Sequence, residues 1–292
     1  MKNLLLSLFV FGFIALPVAG QNTTAVPEND DSMALSPARF ELEMKPGTEQ
    51  TVVINLDYRS KGDSKVPARI VASLNDWFIT REGQVEYSRA NSRPNSASPW
   101  LIYTPGEAAV VPGTVHQIRV TISVPENATP GDHLTALIIE QRPENIKYQQ
   151  ANLKQVIVRY RMASVFYIKV PGLTKKGNVE NLIAESTADG IVVTPTLKNE
   201  GNSMIRPTAS LKIVDADGKL VADLPESESL PILAGSELNQ GVRIEKSLPS
   251  GSYTVKYRVD FQDGNKAIEG ITDLVVKTPA QIANSKTTVR KP

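Results

Sequence analysis

The chain has 292 residues, 41% hydrophobic and 22% charged, with 20 prolines, 18 glycines and no cysteine. Without cysteine there is no disulfide framework, iron–sulfur cluster, thiolate zinc site or catalytic thiol, and 2 histidines leave little material for a multi-histidine metal centre. With 32 basic against 31 acidic residues, the balance excludes bulk attraction to nucleic acid or anionic lipid, and the length predicts two domains, each able to bury its own core.

Residues 1–20 read as a cleaved signal peptide. Lys2 gives a positive start, Leu4 to Leu16 is almost wholly apolar, and Val18-Ala19-Gly20 supplies small residues for cleavage after Gly20. Gln21 follows where lipid anchoring would need cysteine. No later stretch reaches the roughly 18 apolar residues of a membrane helix. The mature protein is therefore expected in the periplasm, with a disordered acidic lead at 21–32 and a basic polar tail at 281–292 carrying Lys286, Arg290 and Lys291.

From Phe40 onward the pattern has period two. Phe40, Leu42 and Met44 alternate with charged neighbours, Lys45-Pro46-Gly47 turns the chain, and Thr51 to Leu56 reads as the next strand. Further strands are expected at Ala68 to Leu74, Trp77 to Thr80, Gln84 to Tyr87, Ile118 to Val124, Leu134 to Glu140 and the long run Gln155 to Val170. Glu82-Gly83, Pro105-Gly106, Pro112-Gly113 and Pro130-Gly131 punctuate them. Many short strands with no intervening helical periodicity predict an all-β fold built as antiparallel sandwiches.

Pro171-Gly172 and Lys175-Lys176-Gly177-Asn178 mark a joint, dividing the mature chain into domains at 33–172 and 173–280. The second domain has strand candidates at Gly190 to Leu197, Thr208 to Asp215, Lys219 to Asp223, Leu238 to Ile244, Tyr253 to Phe261 and Ala267 to Val276. Asp217-Gly218 and Asp263-Gly264 are hairpin turns, because glycine tolerates the positive φ such turns need. Leu248-Pro249-Ser250-Gly251-Ser252-Tyr253 resembles the corner of immunoglobulin-like domains in which a tyrosine hydroxyl bonds back to the backbone.

No catalytic constellation is present. His116 and His133 are isolated, read as surface or satisfied polar residues, and no serine elbow, HExxH or paired-carboxylate pattern occurs. Asp215-Ala216-Asp217-Gly218 lacks the further oxygen ligands of a calcium loop, Trp77 and Trp100 read as core or loop anchors, and no metal or other cofactor is expected. Arg142, Lys147, Lys154, Arg159, Arg161, Lys175 and Lys176 gather before the joint, either as an anion-attracting cleft or as a solvated strand face.

The first domain resembles the N-terminal domain of periplasmic pilus-assembly chaperones of the chaperone-usher class. Leu35-Ser36-Pro37-Ala38-Arg39 stands where that family has a short first strand with a cleft arginine. Val111-Pro112-Gly113 with Gln117 to Val124, and Gly131-Asp132 with Leu134 to Arg142-Pro143, resemble two later strands. Val156 to Ile168, ending near Val165-Phe166-Tyr167, resembles the long strand that leads to the joint. The resemblance implies two immunoglobulin-like domains and donor-strand complementation, in which the chaperone lends an edge strand to a pilus subunit missing its last strand. The implied partners are secreted pilus-type subunits, with an outer-membrane usher left open.

Val156, Val158, Tyr160 and Met162 share one face of an extended segment and form the expected inserted row. Arg39 is the expected grip on a subunit's terminal carboxylate. The family's lysine on the donor strand is here Ser164, so either the register differs, Arg161 substitutes, or that anchoring is absent. The same run is also compatible with an ordinary interior strand packed on its own domain. The chain is similar, too, to two-domain bacterial surface proteins whose immunoglobulin-like modules bind cell-wall polymers or host ligands, which leaves an exported envelope-binding module as the alternative.

Overall fold

A computed structural model describes residues 32–60, 66–142, 160–187, 189–246 and 248–277. Among them no helix is long and apolar enough to cross a membrane, and the only helical segment is a 3₁₀ turn, Ser98–Trp100.

The first sandwich runs through β1 (Ser32–Ser36), β2 (Arg39–Glu43), β3 (Glu49–Arg59), β4 (Ala68–Ile79), β5 (Val85–Arg89), β6 (Leu101–Thr104), β7 (Glu107–Val110), β8 (Val115–Ser123), β9 (Gly131–Arg142) and β10 (Arg161–Val170). One sheet has the order β1-β3-β8-β6; the other has the order β2-β10-β9-β4-β5, with β7 also on β4. Alternation sets what lies between them. Ile54 and Leu56 of β3, Ile118, Val120 and Ile122 of β8, and Phe166, Ile168 and Val170 of β10 are all buried in one core. Each such side chain contributes roughly 1.5 to 3 kcal/mol on burial.

The second sandwich follows as β11 (Gly177–Thr187), β12 (Gly190–Asn199), β13 (Thr208–Asp215), β14 (Leu220–Glu228), β15 (Glu237–Asn239), β16 (Val242–Ile244), β17 (Gly251–Asp260) and β18 (Ile268–Val276). Its sheets have the orders β11-β12-β15, with β16 also on β12, and β14-β13-β17-β18. Its core includes Leu197, Ile213, Val255 and Leu274. The Tyr253 hydroxyl donates to the Pro249 carbonyl at 2.8 Å, so the expected tyrosine corner is formed. Gly218 (φ +79°) and Gly264 (φ +86°) sit in the turns β13–β14 and β17–β18. The all-β, double-sandwich expectation therefore stands.

Several boundaries differ from expectation. Leu74 and Trp77 lie on one continuous strand, β4. Its Asp76, 1% exposed, turns its carboxylate into the loop at 91–98 and accepts from the Ser96 and Ser98 hydroxyls and the Asn91, Ser92 and Arg93 amides. Asn75-Asp76 thus imitates a turn in sequence while anchoring a neighbouring loop. β6, β7 and β11 were not expected, and Leu238 to Ile244 forms two short strands, β15 and β16, on the same neighbour β12. His133 is satisfied, bonded to the Thr129 carbonyl at 2.9 Å and packed at a tilt against Trp100, with ring centroids 4.3 Å apart. His116 differs from expectation, since its Nε2 is buried with no hydrogen-bond partner among the described residues.

Candidate functional site

The site is set by where the chain changes sheets. β1 pairs antiparallel with β3 in the first sheet, the chain crosses at Pro37, and β2 continues parallel to β10 in the second. Pro37 has no N–H for a ladder, which suits a crossover position. The pairing of β2 covers only Val165 to Lys169 of β10, while β9 pairs with β10 from Arg161 to Val170. Arg161 to Ser164 is therefore paired on the β9 side alone among the described residues. At Ser164 the track is closed by the crossover itself, since the Ala38 carbonyl accepts from the Val165 amide at 2.9 Å; beside Arg161 to Ala163, about 10 Å at the strand rise, the described residues place no strand.

The two faces of β10 differ in role. Met162, Phe166, Ile168 and Val170 pack on the core of their own sandwich. Ser164 on the same face is fully buried, and its hydroxyl donates to the Pro37 carbonyl at 2.8 Å. Ala163, Val165 and Tyr167 join an outer apolar cluster with Trp77, Leu134, Ala136 and Ile138, to which the second sandwich adds Met204 and Leu233. Trp77 and Tyr167 meet edge-on at 5.0 Å. Burial pushes the Tyr167 hydroxyl up to about 12, so it stays protonated at any physiological pH.

At the closed end of the track the ion pairs converge on Glu41. Its carboxylate meets Lys169 at 2.8 Å, Arg206 of the second sandwich at 2.9 Å and Arg39 at 3.3 Å. Burial alone would raise the Glu41 carboxyl; bonds to Lys169 and Arg206 outweigh it and hold the group below the ordinary carboxylate value. The Arg39 side chain remains 58% exposed, opposite Val165. Lys169 and Arg206, which hold Glu41, also line a cavity of about 340 Å³ together with Glu43, Lys175, Ser203 and Glu228.

The sandwiches are joined by buried hydrogen bonds as well as by Glu41. Asp132, 4% exposed, accepts from the Met204 amide at 2.6 Å and the Ser203 hydroxyl at 3.1 Å, and its own amide donates to the Asn202 carbonyl at 2.8 Å. Gly131, with φ +130°, is required here, because a Cβ would lie 2.8 Å from that Asn202 oxygen. On the other side, the Arg81 carbonyl accepts from the Asn239 amide at 2.6 Å, and Arg81 pairs with Glu237 at 3.5 Å.

The residues expected at the site are thus dispersed along one strand edge. Arg39 and Arg161 stand at the two ends of the open track. Met162, expected in the inserted row, is half-buried against its own core, and the Tyr160 carbonyl accepts from the Gln141 amide at 2.9 Å. Val156 and Val158 lie outside the described residues, as do Lys147, Lys154 and Arg159. Arg142 and Arg161 are on the outer face of the first sandwich, whereas Lys175 lines the cavity at the joint. Sequence reasoning missed Glu41, Lys169 and Arg206. Glu41 and Lys169 could have been read as alternate residues of their strands, but nothing local signals Arg206, 165 positions from its partner.

Among the described residues no group of histidine, aspartate or glutamate could hold a metal ion. No protein-family model matches the chain, and no curated protein matches it. Among solved structures the chain is similar to the class 5 fimbriae chaperone CfaA, at 12% identity and TM-score 0.40, covering 84% of this chain and 100% of that one. It is similar to a chain of the CsuC–CsuE chaperone–tip adhesion subunit pre-assembly complex from archaic chaperone-usher Csu pili of Acinetobacter baumannii, at 15% identity and TM-score 0.42, covering 83% and 98%. A third similarity is to a chain of the structure of the Salmonella enterica SafA pilin in complex with the SafB chaperone, at 13% identity and TM-score 0.37, covering 84% and 96%.

Proposed function

We propose that this protein is a periplasmic chaperone that holds secreted pilus-type subunits by lending them the open edge of β10 and the segment before it. The observation that carries this reading is the half-open ladder. Among the described residues, β10 is flanked on both sides from Val165 to Lys169 and on one side from Arg161 to Ser164. An edge with unpaired amides and carbonyls is a template for another chain's strand. A chaperone of this kind needs no turnover chemistry, and Arg39, exposed at the closed end, would receive a terminal carboxylate.

The test is capture. Tagged protein expressed with its signal segment is recovered from periplasmic extract and the co-purifying proteins are identified. Small secreted subunits are expected with the wild type and are expected to be lost with Val158→Asp and Tyr160→Asp, each checked for an unchanged circular-dichroism spectrum. Subunits that still co-purify with both folded variants remove the strand-lending mechanism. Recovery of cell-wall polymer in place of protein supports the envelope-binding alternative.

A further inference from the structure

The outer face of the second sheet carries a charged group at the mouth of the open track. In register across it, Arg69 of β4 lies opposite Arg142 of β9, and one row along Glu107 of β7, Val71 of β4, Glu140 of β9 and Arg161 of β10 stand side by side. Two arginines directly opposite one another repel, and two carboxylates offset this. Arg69 pairs with Glu107, and Arg142 pairs with Glu140 at 3.6 Å. With three cations against two anions, one positive charge is left over.

That charge is on Arg161. It is exposed, and among the described residues its guanidinium has no ion pair or hydrogen bond. Its lateral neighbour on the β9 side, Glu140, is engaged by Arg142; its lateral neighbour on the other side is the open track. A strand entering there brings a side chain to within about 5 Å of Arg161 at the Cβ atoms. Two residues further, the same face of that strand passes Ala163, half-buried among Ile138 and Val165, and then meets the end of β2 at Val165.

We propose that Arg161 selects the strand that enters this track, requiring an acidic side chain opposite itself and a small or apolar one two positions toward Ala163. The inference rests on the strand-lending reading above and adds to it the chemistry of the incoming strand. Its physical basis is the cross-strand ion pair: the guanidinium gains a partner on the side where the described strands provide none.

Twelve-residue strand peptides displayed as a library and selected on the full-length protein test it. Wild type is expected to enrich Asp or Glu at one outer-face position, Arg161→Glu to enrich Lys or Arg at that position, and Arg161→Ala to lose the preference. For an enriched acidic peptide, Arg161→Ala is expected to lower affinity up to about five-fold, and added salt to weaken wild type more than the variant. Peptides that enrich on wild type, lose binding with Tyr160→Asp, yet show no charge preference at any position overturn this inference and leave strand lending intact. No enrichment on wild type overturns both.

Discussion

The Ser164 hydroxyl donates to the Pro37 carbonyl at 2.8 Å, tying β10 to the crossover that empties the track beside it. Both groups are far apart in sequence, and Ser164 is fully buried. Ser164→Ala leaves the Pro37 carbonyl without that donor and is expected to cost about 1 kcal/mol. Ser164→Lys, which places the side chain that the chaperone resemblance implies, buries an ammonium in a packed site and is expected to cost several kcal/mol. Chemical denaturation of both variants measures this. A lysine variant as stable as wild type would show that the strand can turn this position outward.

Asp76 gives a pH prediction. Burial alone would raise its carboxyl, but the Ser96 and Ser98 hydroxyls and the Ser92 and Arg93 amides hold it below the ordinary value of 3.8. A depressed folded value means that the unfolded chain binds a proton first as pH falls. The stabilisation is complete above the unfolded carboxylate range and is lost as pH drops through it toward the lower folded value. Asp76→Asn is expected to lose about 2 to 3 kcal/mol at neutral pH, since hydrogen bonds to a charge are the stronger kind. It is also expected to flatten the acid limb of stability against pH below about 4. Denaturant titrations across that range check both, and parallel curves for wild type and variant would contradict the assignment.

The same residues show what a sequence exposes and what it hides. Ile118, Val120 and Ile122 announce their strand because one face is buried and the other wet. The tyrosine corner at Tyr253 is legible because donor and acceptor are four positions apart. β11 was missed because a register shift between Val179 and Asn181 breaks its alternation, so that Val179 and Leu182, three residues apart, both face inward. The open track is legible only in part. Pro37 marks a break, but whether the chain returns beside β10 at once or four residues later depends on contacts spanning 127 positions. Convergence of Lys169 and Arg206 on Glu41 is equally long-range.

Asp132 holds the sandwiches together through the Met204 amide and the Ser203 hydroxyl. Asp132→Ala leaves both donors buried without their acceptor and is expected to cost about 2 to 4 kcal/mol. Because the loss falls on the joint and not on either core, thermal unfolding is expected to separate into two transitions, with an increased radius of gyration in small-angle scattering before the first. A single transition at the wild-type Tm would mean that Arg81, Glu41 and the apolar contacts of Met204 and Leu233 suffice to couple the two sandwiches.

Glu41 occupies the cations that, under the proposed function, an incoming carboxylate meets. Its carboxylate is 3.3 Å from Arg39, while Lys169 and Arg206 hold it more closely at 2.8 and 2.9 Å. If Arg39 receives a terminal carboxylate, as proposed, it is the cation released from Glu41 with the two closer pairs left in place. Glu41→Gln removes the competitor and leaves three cations around a neutral amide. The joint is expected to weaken by no more than about 1 kcal/mol, in line with partly exposed ion pairs. The affinity for a strand peptide ending in a free carboxylate is expected to rise relative to the same peptide ending in an amide, and to fall again in the double variant Glu41→Gln with Arg39→Ala. Calorimetric titration of both peptides gives the ratio. An unchanged carboxylate-to-amide ratio in Glu41→Gln would remove Arg39 from recognition and leave backbone pairing and the Arg161 contact as the sources of binding.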